Sequence, residues 1–203
     1  MITIIDYGMG NLKSIQNIVQ KVGGEAIISY DVNEIMHADK IILPGIGAFD
    51  NGMKNLNERG LIPVLQKKVM QEKTPFLGIC LGMQLITRKS EEGALEGLGW
   101  IDAETIKFKS LSNNLKIPHM GWNYVVVKKN SNLFKGMCEN PRFYFVHSYY
   151  VVCKNENDIL TTTEYGFNFA SAVEKDNIYA TQFHPEKSHK FGMKLMENFV
   201  KNV

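Results

Sequence analysis

Thr74-Pro75-Phe76-Leu77-Gly78-Ile79-Cys80-Leu81-Gly82-Met83-Gln84 decides how the rest of the chain is read. Thr74–Ile79 is apolar without alternation, which suits a strand buried on both faces. A helix over Leu81–Arg88 is predicted to follow it. At the junction, Gly78-Ile79-Cys80-Leu81-Gly82 has the pattern G-x-C-x-G, the thiol form of the G-x-S-x-G strand-to-helix elbow. So tight a reversal strains the central residue, and glycines two positions either side avoid collision. The thiol then stands at the top of the sheet and at a helix N-terminus, where unpaired N–H groups and the dipole favour a thiolate. The Leu81 N–H is placed to donate to an oxyanion. Cys80 is therefore the candidate nucleophile. Cys138, in a polar loop, and Cys153, ending an apolar strand, lack that context and read as structural.

Upstream, Ile2–Asp6, Glu25–Tyr30 and Lys40–Leu43 read as strands. Asn11 can cap a helix whose apolar face is Leu12, Ile15, Val19 and Val22, stopped by Gly23-Gly24. Leu61–Gln71 reads as a further helix. Alternation of strand and helix over the first ninety residues predicts an α/β fold with a mostly parallel central sheet flanked by helices. The second half is β-rich, through Asn123–Lys128, Arg142–Val152, Phe169–Lys175 and Ile178–Phe183. A final helix carries Phe191, Leu195, Met196, Phe199 and Val203 on one face, with Ser188 as its cap. Neither a repeat nor a linker interrupts residues 1–203, so one domain is expected.

The composition, 44% apolar and 22% charged, excludes disorder and coiled coil. A net charge of +2, from 23 basic and 21 acidic residues, leaves no electrostatic footprint for nucleic acid. The three cysteines lie far apart with no CxxC, so no metal is expected, and reduced thiols fit a cytoplasmic setting. No apolar run reaches membrane-spanning length, and the N-terminus reads as a first strand rather than a signal peptide. Gly8-Met9-Gly10 invites a dinucleotide reading, but Lys13 occupies the third glycine position and no Walker sequence is present. No cofactor is expected.

A thiol nucleophile needs a base. Of five histidines, His184 directly follows a strand and opens His184-Pro185-Glu186. Ligands in open α/β sheets bind beyond the carboxyl ends of strands. Pro185 restricts His184 to extended geometry, and Glu186 can accept the imidazole N–H, giving a Cys–His–Glu triad. His37 and His189 read as solvent-facing, His119 as a loop residue after Pro118, and His147 as a half-buried strand histidine. Beyond the third strand, Leu43-Pro44-Gly45-Ile46-Gly47-Ala48-Phe49 brackets Ile46 with glycines, so a peptide N–H there can turn toward an oxyanion.

Pro44–Gly47 (PGIG), Gly78–Gln84 (GICLGMQ) and Thr181–Ser188 (TQFHPEKS) together resemble the triad-type, class I glutamine amidotransferases. Ile4–Ser14, Leu43–Leu56, Ile117–Asn123 and Phe143–Tyr150 resemble, within them, the glutaminase subunits of imidazole glycerol phosphate synthases. The resemblance implies a flavodoxin-like glutaminase fold in which Cys80 attacks glutamine, His184 moves protons and Glu186 orients it. It implies an oxyanion hole from Ile46, Gly47 and Leu81, and glutamine contacts from Gly45, Gln84, Glu92, His147, Ser148 and Tyr149. Asn11, Trp122 and Tyr144 would face a (β/α)₈-barrel synthase subunit that receives the ammonia for histidine biosynthesis. Trp122 also reads as a core residue, and Glu92 as a solvated charge. The resemblance leaves two alternatives open: a paralogous ammonia donor for surface-sugar amidination, and a non-catalytic regulatory module on the same fold. Trp100 and Asp102 depart from the pattern of those subunits.

Overall fold

The computed structural model describes residues 1–109 and 116–203. Its first half runs β1 (Ile2–Ile5), α1 (Leu12–Lys21), β2 (Ala26–Ser29), α2 (Val32–Met36), β3 (Lys40–Gly45), α3 (Phe49–Glu58), α4 (Leu61–Leu65), β4 (Phe76–Cys80) and α5 (Leu81–Leu85). Next come β5 (Ala103–Lys107), β6 (His119–Tyr124), β7 (Val126–Val127), β8 (Arg142–His147) and β9 (Tyr149–Cys153). Then follow β10 (Ile159–Glu164), β11 (Asn168–Lys175), β12 (Ile178–Thr181) and α6 (His189–Lys201).

Strands β2, β1, β3, β4 and β12 lie side by side and parallel. β11, β10 and β7 extend this sheet antiparallel, with β9 on β11 and β5 on β9. β6 and β8 form a separate antiparallel pair. Both faces of the parallel part are covered, as its unbroken apolar strands require. Ile4, Leu77 and Ile79 pack with Ile15, Val19, Leu195 and Phe199 of α1 and α6 on one face. Ile5, Ile41, Leu43 and Phe76 pack with Phe49, Leu56, Leu65 and Leu85 on the other. The mostly parallel sheet with an added β-rich half is the predicted architecture.

Local departures have identifiable causes. α2 is only five residues long, too short for a period to show, and is started by the Asp31 carboxylate accepting the Asn33 and Glu34 N–H groups. α3 is obscured in the sequence by Gly52, which makes room for Leu85: a Cβ there would lie 3.0 Å from Leu85 Cδ2. The helix expected over Leu81–Arg88 stops at Leu85. Carbonyls that would continue it are taken by the returning chain, Leu85 by Leu98 N–H and Ile86 by Trp100 N–H. Leu61–Gln71 is α-helical to Leu65 and π-helical from Gln66 to Gln71. Arg142–Val152 divides at Ser148 into β8 and β9, which belong to different sheets. His119 opens β6 rather than lying in a loop. Trp100 is buried edge-on against Phe76 with its N–H on Gln66, so its departure serves packing, whereas Asp102 pairs with Arg88 at the surface. Among the described residues no helix is long and apolar enough to cross a membrane, and no cluster of three metal-ligating side chains forms.

Candidate active site

The elbow forms at the carboxyl end of β4. Cys80 has φ +55° and ψ −106°, a backbone conformation a non-glycine residue adopts only under constraint. The flanking glycines are obligatory. A Cβ on Gly82 would sit 1.9 Å from the Leu43 carbonyl oxygen, and one on Gly78 would sit 2.8 Å from that of Gly82. α5 is a single short turn, so its dipole contributes little to a thiolate. The thiol has a side-chain neighbour instead: Gln182 Nε2 donates to Cys80 Sγ at 3.7 Å.

His184 follows β12, the parallel neighbour of β4. Its Nδ1 lies 2.8 Å from Glu186 Oε1, with both side chains almost wholly buried. The backbone is pinned as well. His184 N–H donates to the Tyr144 carbonyl at 2.9 Å, and Ser188 Oγ donates to the His184 carbonyl at 2.6 Å while accepting the Tyr144 N–H. Ser188 therefore fixes the His184 backbone and does not cap α6 with its side chain. His184 Nε2 has no hydrogen-bond partner among the described residues in this resting arrangement. Burial disfavours a charged ring. The charges of the neighbouring Cys80 and Glu186, with the hydrogen bond to Glu186, outweigh it and raise the His184 pKa to about 10.

A pocket of about 470 Å³ opens over these groups. Cys80, Leu81, His184, Ile46, Gly47, Gln84, Glu92, His147, Ser148 and Tyr149 all line it, with Ala48, Pro118 and Val146, which the sequence did not single out. Two predicted residues are not in the lining. Glu186 stands behind His184, as an orienting carboxylate should. Gly45 also lies behind: a Cβ there would meet the Tyr7 hydroxyl at 2.1 Å and Leu81 Cβ at 2.9 Å, so its bareness lets the elbow close. Gly47 has φ +110°, and the Ile46 side chain is half exposed. Glu92 is not a free solvated charge, since its Oε2 accepts the Phe49 N–H at the start of α3. A larger groove, about 800 Å³, runs past Val125–Val127 and Lys135–Pro141. No histidine lines it beside its thiol, Cys138.

His147 Nδ1 bonds the Tyr149 carbonyl at 2.7 Å, and its Nε2 meets His119 Nδ1 at 2.9 Å. Burial pushes His119 down to about 4 and, as the leading cause, His147 down to about 3. In the unfolded chain both rings take up protons below about pH 6.5; in the folded protein they do so only near those lower values. The unfolded state thus binds more protons between about pH 6.5 and 4, and stability falls as pH drops through that window. Urea unfolding should show a midpoint that declines on acidification from pH 7 to 5, corresponding to a loss of about a few kcal/mol of unfolding free energy. His119→Asn should flatten that slope.

Two of the predicted partner-facing residues, Trp122 and Tyr144, are in contact. Trp122 is 42% exposed on β6, stacked on the His189 ring at 5.4 Å with the Arg142 guanidinium 5.7 Å from its centre, so it is not core. Tyr144 packs edge-on to Trp122. Asn11 caps α1, accepting the Ser14 N–H at 3.3 Å, and α1 faces Lys187 and His189 across a shallow groove. Met120 and Tyr124, which alternate with the inward residues of β6, extend the exposed apolar face.

The chain belongs to the class I glutamine amidotransferases: the family model "Glutamine amidotransferase class-I" matches residues 3–203. It is 65% identical, over the full length of both chains, to "Imidazole glycerol phosphate synthase subunit HisH 2" of Methanococcus maripaludis. It is 49% identical, again over both full lengths, to the protein of the same name in Pseudomonas aeruginosa. The fold is similar to that of a chain in the solved structure of PurLQS from Thermotoga maritima, with TM-score 0.72 and 18% identity over 98% of this chain and 96% of that one.

Proposed function

We propose that this chain is the glutaminase subunit of an imidazole glycerol phosphate synthase, working as one cytoplasmic domain beside a barrel synthase/cyclase subunit. The observation that carries the reading is the strained Cys80 beside the buried His184–Glu186 pair, 2.8 Å apart, under a pocket of amino-acid size. Cys80 sulfur adds to the side-chain amide carbon of glutamine, and the carbonyl oxygen becomes an oxyanion facing the Leu81 and loop N–H groups. His184 delivers a proton to the departing nitrogen, so ammonia leaves and a thioester remains. Water, deprotonated by His184, then attacks the thioester and releases glutamate and the thiol. Glu92 is suited to the substrate ammonium, and Tyr149 and Ser148 to the opposite wall. The exposed face of Met120, Trp122 and Tyr124 is suited to the partner. Docked there, a barrel receives ammonia without its meeting bulk water and becoming non-nucleophilic ammonium.

The Gly45–Gly47 loop supports control by the partner. Rotation of the peptide at Ile46 aims its N–H into or away from the oxyanion position, and one such donor is worth about 10²–10³-fold in rate. The test compares glutamine turnover by the isolated chain, the complex, and the complex with acceptor ligand. Turnover should rise by that factor or more along the series. Equal turnover in all three would overturn the coupling.

The names of the Methanococcus maripaludis and Pseudomonas aeruginosa relatives both carry the ordinal 2, which favours keeping a second reading. In it, this chain is a duplicate ammonia donor for surface-sugar amidination with the same glutaminase chemistry. Identifying the synthase that co-purifies with the chain separates the two. The complete triad argues against a non-catalytic module.

A further inference from the structure

One hydrogen-bonded path in the molecule is not used by the triad, and it ends on the nucleophile. Parallel pairing of β12 with β4 sets Thr181 beside Ile79, which brings Gln182 next to Cys80. The Gln182 side chain is fully buried. Its Nε2 donates to Cys80 Sγ at 3.7 Å, and its Oε1 accepts Gln84 Nε2 at 3.0 Å. Gln84 Nε2 also reaches the Tyr149 carbonyl, at 3.4 Å. That carbonyl accepts His147 Nδ1 from the other side. His147 Nε2 meets His119 Nδ1, and His119 Nε2 meets Asn123 Nδ2 at 3.2 Å. His119, His147, Gln84 and Gln182 are all buried.

A backbone carbonyl only accepts, and this fixes the direction of every bond on both sides of it. Toward the nucleophile, Gln84 must turn its nitrogen to Tyr149. Gln182 must then offer its oxygen to Gln84, and only its N–H remains for the sulfur. Toward β6, His147 must carry its proton on Nδ1, which leaves Nε2 as acceptor. His119 must then also be protonated on Nδ1, and its Nε2 accepts from Asn123. A second proton on either ring would set N–H against N–H and break the chain. Burial keeps both rings neutral near pH 7. His119 is held in place between the Phe145 and Tyr165 rings, stacked at 4.7 and 4.0 Å.

We propose that Gln182 is a positioning residue for the Cys80 sulfur, oriented through Gln84 by the Tyr149 carbonyl, which the His147–His119 pair reaching to the partner-facing strand β6 holds in place. The inference rests on the glutamine-hydrolysing reading above and deepens it. A donor fixed on sulfur stabilises the thiolate relative to the thiol and sets the line of attack. The same chain gives the glutamine pocket a mechanical tie to the docking face that is separate from the Gly45–Gly47 loop. Gln84 consequently spends its amide nitrogen on Gln182 and Tyr149, and it is the amide oxygen that it has left for the pocket.

The test uses the full chain with Cys138→Ser and Cys153→Ser, so that Cys80 is the one thiol, alone and with its barrel partner. Gln182→Met keeps length and loses the donor. Alkylation of Cys80 by iodoacetamide across pH should then require higher pH, with the rate at pH 7 down about tenfold, the worth of a hydrogen bond to a charged group. In the complex kcat should fall by a similar factor while KM for glutamine stays within about twofold. His119→Phe retains the stacked ring and removes the donor, so it should move the profile the same way by less, and His119→Asn, whose amide N–H replaces Nδ1–H, should restore it. If Gln182→Met does not fold, Gln84→Met releases the Gln182 amide and should shift the same alkylation profile. An unshifted profile and unchanged kcat in a folded Gln182 or Gln84 variant would overturn the proposal. Alkylation needs no glutamine turnover. A shifted profile in a protein that never hydrolyses glutamine would therefore sink the glutaminase reading and leave the positioning role standing.

Discussion

Cys80→Ala is expected to abolish ammonia release from glutamine, lowering turnover by about 10⁴-fold or more, as loss of a nucleophile does in triad enzymes. Folding should survive. The substitution removes one buried sulfur, and Ala carries no greater demand than Cys at φ +55°. Partner binding should survive too, because the exposed residues Met120, Trp122 and Tyr124 are far along the chain from the elbow and on the separate β6–β8 pair. Cys80→Ser should behave almost as Cys80→Ala, since a hydroxyl is a poor nucleophile without the thiol's acidity. Steady-state glutamate production in the complex is the measurement, and wild-type rates in Cys80→Ala would refute the triad. Cys138→Ser and Cys153→Ser should leave turnover nearly unchanged.

The second large effect is at the base. His184→Ala should cost about two to four orders of magnitude in kcat, the usual contribution of a positioned acid–base group. Glu186→Gln should cost less, because it weakens orientation and the charge that holds the imidazolium without removing the proton carrier. A pH profile of kcat/KM separates the roles. In Glu186→Gln the His184 pKa should fall, since one of the groups that raises it is gone. A Glu186→Gln enzyme slower than His184→Ala would reverse the assignment.

What the sequence disclosed was whatever local chemistry enforces. Gly78 and Gly82 declare the elbow because a Cβ at either collides with backbone, and that collision is a property of the turn itself. His184-Pro185-Glu186 declares an imidazole–carboxylate pair because two residues suffice to bring them together. α2 and α3 stayed hidden because one is short and the other carries a glycine that only Leu85, far along the chain, explains. Gln182 and His119 stayed hidden for the same reason. Their partners are Cys80 and His147, assembled by strand pairing across the fold, and nothing adjacent in the chain marks them. The helix dipole assigned to Cys80 failed because where α5 ends is set by Leu98 and Trp100, well downstream.

Strand β6 carries two independent records in alternate letters. Residues 120, 122 and 124 face outward, while 119 and 123 hold the inner polar chain. Gene duplication can therefore redraw the outward letters to suit a new synthase while the inner ones, and with them the glutamine chemistry, are inherited intact. Duplicated copies of this subunit that serve different acceptors should diverge along β6 with a period of two. Exchanging Met120, Trp122 and Tyr124 between such copies should then shift which synthase co-purifies while leaving glutamine hydrolysis unchanged.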